Sequence, residues 1–148
     1  MKSLKNCFLD SNILIAFKIE FSPFHTQAIR IITQCIEEKN ALVISPLVLD
    51  ETIHSILQSY RIVRKKFEYT DLRTAITELL LLPTLTIINP PTDNRSQLTV
   101  IEYMKNYKLR PRDAYHLLTI KAHEIDSFAT FDRDFERVFE KGIVSQFK

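Results

Sequence analysis

Cys7-Phe8-Leu9-Asp10-Ser11-Asn12 sets three apolar residues against an acid and two small polar residues. The apolar run is too short for a helix and reads as a buried strand, while Ser11 and Asn12 offer cap chemistry for a helix beginning near Ile13. This first strand ends in an acid, and the passage from strand into helix recurs at the second strand. Ala41-Leu42-Val43-Ile44 is a second buried strand, and Ser45-Pro46 after it pairs an N-cap residue with a proline at the first helical position. Leu85-Thr86-Ile87-Ile88, closed by Asn89-Pro90-Pro91, reads as a third strand, and Ser127-Phe128-Ala129-Thr130 as a fourth.

The stretches between these strands carry helical spacing. Residues 23–39 place Ala28, Ile29, Ile32, Cys35 and Ile36 on one stripe, with Asn40 as the stop. The helix opened by Pro46 carries Leu49, Ile53, Ile56, Leu57 and Tyr60. Residues 61–82 continue in helical register with Leu72, Ala75, Ile76, Leu79 and Leu80, with a break expected near Tyr69-Thr70-Asp71 and an end at Pro83. Residues 92–107 and 111–124 are two more helices, residues 134–139 a short one, and residues 143–147 an edge strand after Gly142, the only glycine. Strands alternating with helices predict a mostly parallel sheet covered on both faces.

At 148 residues the chain is expected to form a single domain, residues 1–148, with one core. Apolar residues make up 45% and charged ones 26%, which excludes disordered and membrane classes, and no aliphatic run approaches the roughly 20 residues of a spanning helix. No cleavable leader pattern follows Met1, so the expected location is cytoplasmic. Cys7 and Cys35 lack zinc-ligand spacing and are expected as buried thiols.

Four acids, Asp10, Glu51, Asp113 and Asp132, sit where a strand gives way to a turn or a helix begins. In parallel sheets the crevice beyond the carboxyl ends of the strands is where ligands bind, so all four can point at one place. Each also has a local explanation. Asp10 could cap a helix, Asp113 could complement a helix dipole, and Glu51 lies opposite Leu49, with Asp50 as a competitor. In Thr130-Phe131-Asp132-Arg133-Asp134-Phe135, Asp134 could cap the next helix and free Asp132. Together, several converging carboxylates call for a cation or a salt-bridge network, because desolvated negative charge is costly without a partner. Three or four carboxylates from separate elements suit one or two Mg2+ ions, and paired metals support in-line hydrolysis of a phosphodiester.

The Phe8-Leu9-Asp10-Ser11-Asn12 start, Ser45 with Glu51 six residues on, the Arg112-Asp113-Ala114 helix start and the Thr130-to-Phe135 motif together resemble a PIN domain, in particular a VapC-type toxin ribonuclease. The resemblance implies a three-layer α/β/α fold around a mostly parallel central sheet and an Mg2+- or Mn2+-dependent endoribonuclease. On that likeness Asp10, Glu51, Asp113 and Asp132 are the catalytic and metal-binding set, supported by Asn12 and Thr130, with Asp134 as an accessory acid or a cap. It also implies an RNA substrate, a small antitoxin partner and a homodimer, with the Leu79–Leu82 run either completing the core or leaving an apolar strip.

Arg110 and Arg112, and Arg64 and Lys65 within the Arg61 to Lys66 cluster, are phosphate-binding candidates whose alternative is a solvated helix face. His116 and His123 are read as caps or packing residues ahead of general bases, and Tyr103 and Tyr107 as helix packing ahead of base stacking. Competing readings are a nuclease acting on DNA or maturing structured RNA, and a non-catalytic protein-binding module. Asn12 stands two residues after Asp10, where a phospho-aspartate phosphatase needs a second aspartate.

Overall fold

A computed structural model describes residues 4–63, 66 and 68–148. In chain order the elements are β1 (Asn6–Leu9), α1 (Ser11–Lys18), α2 (His25–Glu37), β2 (Ala41–Ile44), α3 (Pro46–Val63), α4 (Tyr69–Leu80), β3 (Thr86–Ile87), α5 (Asn94–Tyr107), α6 (Pro111–Ala122), β4 (Ser127–Ala129), a 3-10 turn (Arg133–Phe135), α7 (Glu136–Glu140) and β5 (Ser145–Gln146). The five strands form one sheet in the order β3-β2-β1-β4-β5, and every pairing is parallel. Cys7 of β1 stands between Leu42 of β2 and Ser127 of β4.

Successive side chains of a strand point to opposite faces, yet Cys7, Phe8 and Leu9 are all fully buried, so β1 is covered on both sides. This is the three-layer α/β/α arrangement expected. The aromatic part of the core runs through Phe8, Phe128 and Phe135, with ring centroids 5.7 Å apart for the first pair and 4.8 Å, edge to face, for the second. Burying each ring stabilises the fold by roughly 1.5–3 kcal/mol.

The chain lays down β1, β2 and β3 toward one edge, then returns to place β4 on the other side of β1. That reversal opens a crevice at the carboxyl ends of β1 and β4. Asp10 follows β1 directly, and Thr130 follows β4.

Several local expectations change. Asp10, and neither Ser11 nor Asn12, caps α1, which starts at Ser11. In α2 the buried face uses Ile31 in place of the exposed Ile29, and the left-handed stop falls on Lys39 (φ 59°), one residue before Asn40. In α3 the buried residues are Val48, Thr52 and Ile56, while Ile53 is exposed. Thr52 is tolerated there because its hydroxyl donates to Val48 O at 2.7 Å, and that rotates the buried stripe away from the one apolar periodicity suggested. The break between α3 and α4 comes before Tyr69, and β3 is only two residues long, both exposed at the sheet edge. Leu79 completes the core, whereas Leu80 and Leu81 are exposed. Cys7 and Cys35 are buried free thiols. Among the described residues no helix is long and apolar enough to cross a membrane.

Candidate active site

Asp10 is only 5% exposed, and its two oxygens are divided between two tasks. Oδ1 accepts from Ser11 N at 2.7 Å, the cap of α1, and Oδ2 accepts from Thr130 Oγ1 at 2.6 Å and Asn12 Nδ2 at 3.2 Å. Capping and site membership were alternatives in the sequence; the carboxylate serves the first with one oxygen and faces the crevice with its neighbours.

Asn12 fixes the geometry around it. Its amide nitrogen donates to Asp10 Oδ2 and Thr130 Oγ1, and its Oδ1 accepts from Phe131 N at 3.1 Å. Thr130 Oγ1 also accepts from Asp132 N at 3.0 Å. Every polar atom of the Asn12 and Thr130 side chains is therefore committed, which ties the end of β1 to the loop after β4.

Glu51 reaches the crevice from α3, and Asp50 is exposed to solvent. Measured from Val48, at the near edge of the buried stripe of Val48, Thr52 and Ile56, Glu51 is about 60° around the helix, so it borders the core face. Its Oε1 accepts from His116 Nε2 at 2.8 Å, and its Oε2 lies 4.0 Å from Arg112 Nη1. An ionised carboxylate can only accept, so Nε2 carries the proton.

His116 is the residue that sequence reasoning set aside as packing. It is 1% exposed, stands 3.8 Å from Asp10 Oδ1, and stacks at an angle on Phe8, while its Nδ1 has no partner among the described residues. Burial pushes the imidazole down, but the Glu51 hydrogen bond and the charges of Asp10, Glu51 and Asp113 outweigh it, so the net direction is upward. The i, i+3 spacing from Asp113 was the available signal, since it puts both residues on neighbouring faces of α6. His123 instead bonds Asn89 O at 2.7 Å, and Tyr103 and Tyr107 pack against the core with ring centroids 6.0 Å apart.

Asp113 lies in the first turn of α6, which Pro111 opens. Burial, then the charges of Asp132 and Asp10, push its carboxyl up to about 6, with His116 opposing and Asp134 adding to the rise. Asp10 is likewise raised, chiefly by burial, with His116 and the Thr130 hydrogen bond opposing. Asp132 caps the 3-10 turn, its Oδ1 accepting from Asp134 N at 2.9 Å. The expected division is thus reversed: Asp132 is the cap, and Asp134 has its carboxylate free of that duty. The reason is local, because the turn begins at Arg133, one residue too early for Asp134 to cap it.

The acids fall into two groups. One ligand atom each from Asp10, Glu51 and His116 lies within 4.8 Å of the others, and the same holds for Asp113, Asp132 and Asp134. Five carboxylates from four separate parts of the chain face one imidazole and one guanidinium. Oxygen donors with this surplus of negative charge fit a hard divalent cation such as Mg2+ or Mn2+. Of the phosphate-binding candidates, Arg112 is beside Glu51 and 63% exposed, Arg110 is exposed at the cap of α6, and Arg64 and Lys65 lie outside the described residues.

A family model, PIN domain, matches residues 7–141. Among characterised proteins the chain is similar to ribonuclease VapC6 of Methanocaldococcus jannaschii, 27% identical over 150 residues that cover 92% of this chain and 94% of the relative. Several solved structures share the fold. VapBC2 from Rickettsia felis, bound to a DNA fragment from its promoter, superposes with a TM-score of 0.64 at 14% identity, covering 96% of this chain and 98% of that one. VapC20 of Mycobacterium tuberculosis, a sarcin-ricin-loop-cleaving toxin, gives a TM-score of 0.61 at 14% identity, over 90% and 95% of the two chains.

Proposed function

The chain belongs to the PIN-domain family, and from that membership we propose that it is a divalent-metal-dependent endoribonuclease, the toxin of a type II toxin–antitoxin pair. The observation that carries the reading is the convergence of Asp10, Glu51, Asp113, Asp132 and Asp134 in two groups at the carboxyl ends of β1 and β4. A bound Mg2+ or Mn2+ supplies charge stabilisation at the phosphate and an activated water for in-line attack.

The protein's own share is positioning. Asn12 and Thr130 hold Asp10 in one orientation, His116 holds Glu51, and Asp113, Asp132 and Asp134 complete the oxygen set. Arg110 and Arg112, exposed at the start of α6, are placed to receive backbone phosphates, contacts that position a strand without reading its bases. The chain is read as a single nuclease domain built on one core. Exposed Leu80 and Leu81, with Ile53 and Tyr69 lining the groove beside α4, give the apolar strip for a homodimer. A small antitoxin covers the acidic crevice through a basic segment.

RNA cleavage by wild-type protein and by Asp10→Asn and Asp113→Asn, measured across a Mn2+ titration, tests this reading. Loss of cleavage and of calorimetric Mn2+ binding in both folded variants is expected. Full cleavage in either would sink it, and cleavage of DNA alone would redirect the substrate assignment.

A further inference from the structure

We propose that the cavity beside the acidic crevice is a nucleotide subsite that takes an unstacked base next to the scissile phosphate. The proposal rests on the nuclease reading above. The cavity holds about 470 Å3, room for one nucleoside, and Thr130 and Asp132 belong both to its wall and to the acidic site. A strand whose phosphate lies over the carboxylates therefore has its neighbouring nucleotide at the cavity mouth.

The lining suits a base. Phe24 and Phe131 are stacked, with centroids 4.9 Å apart and planes 25° from parallel, yet Phe24 remains 48% exposed. A flat ring with one partner and that much open surface offers a platform for a second π-system, and every base has one. Gln27 and Gln146 on the wall carry amides that can both donate and accept against base edges. Arg30, Arg133 and Lys148 supply three cations for the flanking phosphates, against Asp132 and Glu136 as the acids present. A base can enter only when it is out of a helical stack, so the substrate is single-stranded or looped RNA.

Binding of end-labelled single-stranded RNA to the full chain in EDTA, read by fluorescence anisotropy, separates this subsite from cleavage. Phe24→Ala should weaken that binding about tenfold, a typical loss for one stacked base, and Phe24→Tyr should recover most of it. Binding of the same sequence as a duplex should not change. With Mn2+ present, KM should rise more than kcat falls. A Phe24→Ala protein that binds single-stranded RNA like wild type overturns the proposal, as does one that loses only a protein partner. Wild-type protein that holds the RNA without cutting it would remove the hydrolysis reading and leave the subsite standing.

Discussion

Replacing Asp113 by Asn should make the metal-free protein more stable while removing its function. The carboxyl rises from its ordinary 3.8 to about 6 in the fold, chiefly through burial and the charges of Asp132 and Asp10. Taken at face value that rise is about 3 kcal/mol against folding at neutral pH. Asp113 is only half buried, so solvent screening cuts the figure to about 1–1.5 kcal/mol, and losing a charge at the N-terminus of α6 removes a few tenths more. The expected net gain is about 1 kcal/mol, or about 3 °C in Tm. The sign follows from which state holds the proton. Below pH 3.8 both states are protonated and the gain is absent. It grows from pH 3.8 to about 6, where the unfolded chain has ionised and the folded one has not, and it is constant above. Urea denaturation in EDTA at pH 3.5, 5 and 7.5 reads this directly. Adding Mn2+ at pH 7.5 should stabilise the wild type and not the variant, which reverses their order. A variant less stable than wild type in EDTA, or a gain that persists unchanged at pH 3.5, would refute the view that Asp113 is held under charge repulsion.

Three further outcomes are expected. Asn12→Ala leaves Thr130 and Phe131 N short of partners and should cost about 1–3 kcal/mol in chemical denaturation, with cleavage reduced through misplaced Asp10. His116→Ala removes a buried ring and the partner of Glu51, and should cost about 2–4 kcal/mol by the same measurement. Lys108, the exposed C-cap of α5 at φ 56°, pays for a left-handed backbone that glycine adopts freely, so Lys108→Gly should raise stability by about 0.5–1 kcal/mol in thermal melts.

The sheet was legible because each strand is a short apolar run bounded by strong punctuation. Pro46 and Pro111 fixed two helix starts to the residue, and the four acids were visible as the ends of those units. What escaped the sequence depended on distant partners. His116 looks like a core histidine until Glu51, 65 positions earlier, is brought against it. Glu51 looked solvent-facing because Thr52, a polar residue, occupies the buried stripe by bonding its own helix. Asp132 and Asp134 can each cap by local chemistry, and only the start of the turn at Arg133 separates them.

The clamp formed by Asn12 and Thr130 joins residues 118 positions apart. A ribosome releases the first of them long before the second, and β1 meanwhile lacks β4, its neighbour on one side. While the chain is still being made, Asp10 thus has neither its strongest hydrogen bond nor the companions that follow β4. The acidic site is therefore assembled late in synthesis, after most of the sheet and helices that carry its first two acids are already in place.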